Sequence, residues 1–147
     1  MNKVEKAYCD VCNDEVEYEV RVEKNTLRVK ELTFEAVEHI AYCKKCGEQL
    51  WVDELERRND IVVYDIYKEK VGLLTTSQIR EIRRKRGMTQ KELALFLGIG
   101  EKDIARYENG AIQSRSIDNM IRLVGDEHAY LEMARVFANT KKVRKTS

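Results

Sequence analysis

Histidine is nearly absent from the 147 residues: His39 and His128 are the only two. Neither stands beside a nucleophile motif, and no glycine-rich phosphate loop appears, so the sequence offers no catalytic constellation and no enzyme is expected. No apolar run approaches the ~20 residues that a membrane span needs. The first residues, MNKVEKAYCD, lack the apolar core of a signal peptide. A cytoplasmic chain with no membrane partner is therefore expected. Net charge is also close to nil, with 27 Lys/Arg against 26 Asp/Glu. That balance excludes a chain that coats nucleic acid without selectivity.

The balance conceals an asymmetry. Residues 1–53 carry eight Lys/Arg and twelve Asp/Glu, a net of −4. Residues 79–125 carry ten and six, a net of +4, and residues 126–147 add +2. A basic C-terminal half points to nucleic acid, and an acidic N-terminal half to a different partner.

Four cysteines in a cytosolic chain favour metal or redox chemistry over structural disulfides. They form two C-x2-C pairs, Cys9/Cys12 and Cys43/Cys46. Each pair can form a knuckle with both thiolates facing one ion, and two knuckles make a closed tetrahedral zinc site. Asn13 and Gly47 follow the pairs and tolerate the positive φ that curls the chain past the sulfurs. Such a site has no open position for substrate, so the zinc is structural. The alternative, a dithiol redox pair, usually comes singly beside a strand-helix-strand pattern.

The 30 residues between the pairs read as strands. Val16, Tyr18, Val20 and Val22 alternate with Glu15, Glu17, Glu19, Arg21 and Glu23, a period of two. Lys24-Asn25 is the expected turn, and Leu27 and Val29 alternate beyond it. Val37, Ile40 and Tyr42 lead into the second knuckle. The outward acidic row (Glu15, Glu17, Glu19, Glu23) suits a basic protein partner, and an exposed strand edge suits sheet addition. The same charges also fit a sheet protected from aggregation. A domain this small needs the metal for stability.

Residues 54–74 read as a charged helical linker, without proline and poor in Gly and Ser, hence no loose tether. Trp51 is expected to pack where the zinc domain meets it, with a partner-facing position as the alternative. Thr75 with Gln78 opens the next helix as a capping box. Ile79 and Ile82 face inward, and Gly87 ends it. Arg83-Arg84-Lys85-Arg86 reads as a solvated face with some phosphate contact.

Thr89 to Gly110 is the most specific stretch. Thr89 and Glu92 form a second capping box, Leu93, Ala94 and Leu97 give one apolar face, and Gly98 suits a left-handed helix end. Gly100 serves as the next N-cap, and the second helix starts at Glu101 with Ile104 and Tyr107 inward. Asn109-Gly110 ends it. Two short helices about a glycine turn are a helix-turn-helix, whose second helix enters the major groove. Lys102 and Arg106 share its outward face. Arg106 suits guanine O6/N7, and Lys102 a guanine or a phosphate. A plain αα-hairpin with solvated charges is the alternative. Gln113 to Arg115 are placed to touch phosphates. Ser114 or Ser116 caps a fourth helix with Ile117, Met120, Ile121 and Val124 inward. Asp126 opens a fifth with two stripes, Leu131/Ala134/Ala138 and Tyr130/Met133/Phe137, wide enough for core or dimer surface. The last residues, 140–147, read as a frayed basic tail.

The runs TQKELA (89–94) and IARYENG (104–110) resemble the Cro/repressor-like helix-turn-helix family. That resemblance implies a phosphate contact from Gln90, with Lys91 beside it on the DNA side, and base contacts from the helix starting at Glu101. Cys9, Cys12, Cys43 and Cys46 with Gly47, then GLLTTSQIREIR and GEKDIARYENGAIQSRS, resemble the MqsA-type antitoxins with a YgiT-type zinc finger over nearly the whole chain. The resemblance implies zinc on the four cysteines, a toxin held by the N-terminal domain, and a homodimeric C-terminal domain on a palindrome in its own promoter. The family's base-reading pair falls on Lys102 and Arg106, where the family pattern can carry Asn in place of Lys102. The expected fold is thus α+β in two domains: a small antiparallel β zinc-binding domain (1–53), the helical linker (54–74) and an all-α, five-helix DNA-binding and dimerisation domain (75–139). The alternative function is a stand-alone or prophage transcription regulator with a zinc-ribbon adaptor.

Overall fold

The computed structural model describes residues 5–146, and the side chains of residues 5–140. It is an α+β structure: an antiparallel sheet in the order β1-β2-β3-β4, followed by six helices. Two compact units divide it, the first ending at Tyr67 and the second beginning at Lys68.

In the first unit, β1 (Lys6–Cys9), β2 (Asp14–Val29), β3 (Leu32–Cys43) and β4 (Gln49–Leu50) form the sheet. The turn expected at Lys24-Asn25 is not there. β2 runs through those residues, which pair with Val37 and Ala36. Asn25 survives mid-strand because its amide donates across to the Glu38 carboxylate at 3.0 Å. The reversal comes at Lys30-Glu31, between the paired Val29 and Leu32, with Lys30 at φ +51°.

The long β2–β3 hairpin changes its covered face along its length. Near the cysteines Val16, Ala41 and Cys43 are buried, with Leu50 beside them. Near the turn the buried residues are Val29, Phe34 and Ala36. Val20 pairs with Ala41 while Leu27 pairs with Phe34. The two sets differ in parity along each strand, so they lie on opposite faces. Between them, residues 19–22 of β2 are exposed on both faces.

The helix α1 (Asp53–Val71) starts with Asp53, Glu54 and Glu56 and ends with Lys68 and Lys70, the charge order its dipole favours. Leu55 packs with the cysteine cluster, and Val63 and Tyr67 are buried. Asn59 acts as a substitute strand: its amide accepts from the His39 N–H and donates to the His39 carbonyl, both at 2.9 Å. Trp51 does not pack in as expected. It is 72% exposed, and its indole N–H donates to Asp53 at the start of α1.

The second unit holds the last turn of α1 and five helices: α2 (Thr76–Lys85), α3 (Gln90–Leu97), α4 (Asp103–Glu108), α5 (Arg115–Gly125) and α6 (Glu127–Thr146). Both capping boxes form, Thr75 with Gln78 and Thr89 with Glu92. Gly98 ends α3 in the left-handed conformation, and Ser114 caps α5 through the Ile117 N–H. Leu74, Ile79, Leu93, Ala94, Ile104, Tyr107, Ile121 and Val124 make the core. Tyr130 and Met133 pack against it, and Phe137 meets Phe96 edge to face at 5.3 Å. The Leu131/Ala134/Ala138 stripe is less covered, with Leu131 58% exposed and Ala138 exposed too, and Val136, on a different side of α6, is 52% exposed. α6 continues to Thr146, through most of the stretch expected to fray; the side chains of 141–147 lie outside the described residues.

Candidate metal centre and nucleic-acid interface

Strand pairing brings the knuckles together. Cys9 ends β1 and Cys43 ends β3, while Cys12 and Cys46 lie on the loops that follow. The four sulfurs all lie within 4.8 Å of one another, with Cys9–Cys46 at 3.5 Å and Cys12–Cys43 at 3.9 Å. A tetrahedral zinc with bonds of ~2.3 Å has sulfur–sulfur edges of about 3.8 Å. Backbone N–H groups already point at the sulfurs: Cys12 N to Cys9 at 3.4 Å, and Lys45 N and Cys46 N to Cys43 at 3.3 and 3.5 Å. Those donors stabilise thiolate charge. The Cys43 thiol is lowered to about 7, first by the Cys46 N–H, while sulfur neighbours led by Cys46 push Cys12 up to about 12. Asn13 and Gly47 have φ of +54° and +78°, the curl that each knuckle requires. Cys9 and Cys43 are buried. The donor set and spacing fit a four-thiolate metal ion.

The acidic row is less bare than its sequence suggests. Glu17 pairs with Lys44 at 3.7 Å, Glu19 with Arg21 at 2.6 Å, and Glu23 accepts from the Tyr42 hydroxyl at 2.7 Å. β2 pairs with β1 only from Asp14 to Glu17. From Tyr18 onward its outer edge has no neighbouring strand among the described residues.

In the second unit α3, the turn after it and α4 form the helix-turn-helix. Regular α4 starts at Asp103 instead of Glu101, and Glu101 and Lys102 form a turn. The N-cap of α4 is Lys102, without a side-chain capping bond, and not Gly100 as expected; the Gly100 N–H instead donates to Asp103 Oδ2 at 3.0 Å. Lys102 and Arg106 are exposed, Arg106 by 63% at its side chain. Lys91 is exposed and pairs with Glu101 across the turn at 3.3 Å.

A buried acid that the sequence reading did not single out organises this unit. Glu108 is 1% exposed and binds Arg83 at 2.7 and 2.9 Å, Arg80 at 3.4 Å and the Gln90 amide at 3.3 Å. Burial pushes its carboxyl up, but the bonds from Arg83 and Gln90 and the charges of Arg83 and Arg80 outweigh that and hold it low. The signal was available: Arg80 and Arg83 lie one turn apart on α2, facing the RYENG run. Gln90 is thus oriented by Glu108 at the start of α3. Arg83 and Arg86 are not part of a solvated face. Arg86 donates to the Val124 carbonyl and stacks on Tyr130, leaving Arg84 and Lys85 as the exposed members of the run.

Gln113 is not on the surface. It is 1% exposed and donates to the Leu74 carbonyl at 2.8 Å and to Asp118 at 3.1 Å. Asp118, fully buried, also accepts from the Leu74 N–H and Arg122. Arg115 is exposed, yet its guanidinium donates to the carbonyls of Val71 and Gly72 at the end of α1. No described helix is long and apolar enough to cross a membrane.

Among protein families, the model for the antitoxin component of bacterial toxin-antitoxin systems, MqsA, matches residues 6–135. No curated protein matches the chain significantly.

Proposed function

The chain belongs to the MqsA family of antitoxin components, and on that premise we propose that it neutralises a protein toxin and represses its own operon. The observation that carries this is a family match that runs through both compact units. The first unit is assigned to the toxin and the second, from Lys68, to promoter DNA. Cys9, Cys12, Cys43 and Cys46 would hold a structural Zn2+, which crosslinks the two ends of a 30-residue loop and stabilises a small sheet. Toxin recognition fits the exposed Trp51 and the open β2 edge better than bare acidic charge, because the Glu17, Glu19 and Glu23 carboxylates have local partners.

On the DNA side α4 would lie in the major groove. Arg106 reads guanine, and Lys102 contacts base or phosphate. Gln90, Lys91, Arg80 and Arg84 suit the phosphates, while Gln113 holds the fold. Arg115 touches a phosphate only by giving up Val71 or Gly72. The outward stripe of α6, with Leu131 and Ala138, suits a second copy of the chain, as reading of a palindrome requires. A sedimentation mass of one chain on operator DNA would overturn the dimer.

The test is growth with the adjacent reading frame. That gene alone should arrest growth, and co-expression of the full chain should relieve it. Cys43→Ser should lose the rescue, and Arg106→Ala should keep it while derepressing a promoter reporter. Absence of arrest from either neighbour would favour a stand-alone regulator.

A further inference from the structure

We propose that Asp103 is a positioning residue for base reading: it holds the Arg106 guanidinium in the orientation that selects guanine. This rests on the reading of α4 as the recognition helix. Asp103 opens α4, and its two oxygens do different things. Oδ2 accepts from the Gly100 N–H at 3.0 Å, and Oδ1 accepts from the Arg106 guanidinium at 3.0 Å. One carboxylate therefore ties the turn to the reading side chain. Arg106 also lies over the Tyr107 ring, 5.9 Å from its centre.

The glycine before α4 supports this assignment independently. Gly100 is not in the left-handed region, so its backbone does not call for glycine. A Cβ there would come 2.9, 3.2 and 3.3 Å from the three carboxylate atoms of Asp103. The missing side chain is the space that the carboxylate fills.

An arginine has five N–H donors. The bond to Asp103 uses one and leaves enough for a bidentate pair with guanine O6 and N7. A guanidinium already held loses less freedom on binding. The carboxylate also opposes the wrong mode. Residues 101–106 carry Glu101 and Asp103 against Lys102 and Arg106, no net charge. The segment thus gains little from an arbitrary run of phosphates, and Asp103 is repelled by one.

The test selects bound duplexes from a randomised pool with the full, metal-loaded chain, then measures affinity for selected and unselected duplexes across salt concentrations. Arg106→Ala should erase guanine preference at one position per half-site. Asp103→Asn keeps an acceptor for the Gly100 N–H but loses the charge. It should cut that preference about tenfold, within what a bidentate pair supplies, and bind unselected DNA more tightly at low salt. Gly100→Ala displaces the carboxylate without removing it. It should cut the preference without that gain, and it decides the matter if Asp103→Asn does not fold. Wild-type base preference in Asp103→Asn or, failing its folding, in Gly100→Ala would overturn the positioning role and leave DNA reading intact. A wild-type chain that enriches no sequence would overturn both.

Discussion

Glu108 shows how a single buried charge can serve a surface function. Its carboxylate faces Arg83, Arg80 and Gln90, so one side chain fixes both the α2–α4 packing and the orientation of a residue on the proposed DNA side. Its folded-state value lies below the ~4.3 of an unfolded glutamate. The stabilisation is therefore complete above about pH 4.3 and is lost as pH falls through the lower folded value. Glu108→Gln should cost about 3–5 kcal/mol, because it leaves Arg83 buried without a counter-charge. Denaturant unfolding at pH 7 checks this, and the gap between mutant and wild type should shrink in acid. The same residue marks where single-residue reading stops. Cysteine spacing pointed to a four-sulfur cluster because C-x2-C pairs carry their geometry locally. Gln113 and Arg83 looked like surface groups because their partners, Asp118 with Leu74 and Glu108, are distant in sequence or on another helix.

At the scale of elements, boundaries set by neighbouring residues were legible. Both capping boxes, the Gly98 helix end and the Ser114 cap depend on contacts no more than a few residues apart. The hairpin turn was not, because it is fixed by cross-strand pairing. Asn25 carries a turn signal yet bonds to Glu38, while Lys30 takes a left-handed conformation without being Gly or Asn. Opposite substitutions should separate the two sites. Lys30→Gly should stabilise the first unit by up to ~1 kcal/mol, by relieving a conformation that costs side-chain-bearing residues roughly that much. Asn25→Gly should destabilise it by about 0.5–1 kcal/mol, as glycine does inside a strand. Thermal unfolding of the two variants checks the pair, and the reverse order would put the turn at Lys24-Asn25.

Across the whole molecule, two cores of different kinds carry the stability. The helical unit closes around Ile79, Leu93, Ile104, Ile121 and Val124, all fully buried. The sheet unit has a small cluster at the cysteines, with Val29, Phe34 and Ala36 buried nearer its turn. Chelation at neutral pH should therefore unfold the sheet while the helical unit keeps its own cooperative transition. Circular dichroism with and without chelator checks this, and one transition lost as a whole would contradict it.

The exchange of covered faces along the β2–β3 hairpin has a mechanical consequence. At Glu19–Val22 neither side of β2 lies against a core, and its outer edge has no neighbouring strand among the described residues. Separation there breaks ladder bonds but uncovers little apolar surface on β2, whereas separation at either end exposes a core as well. The sheet is therefore expected to yield from its waist, with the cysteine knuckles and the Lys30-Glu31 turn acting as two clasps that hold while the fabric between them opens.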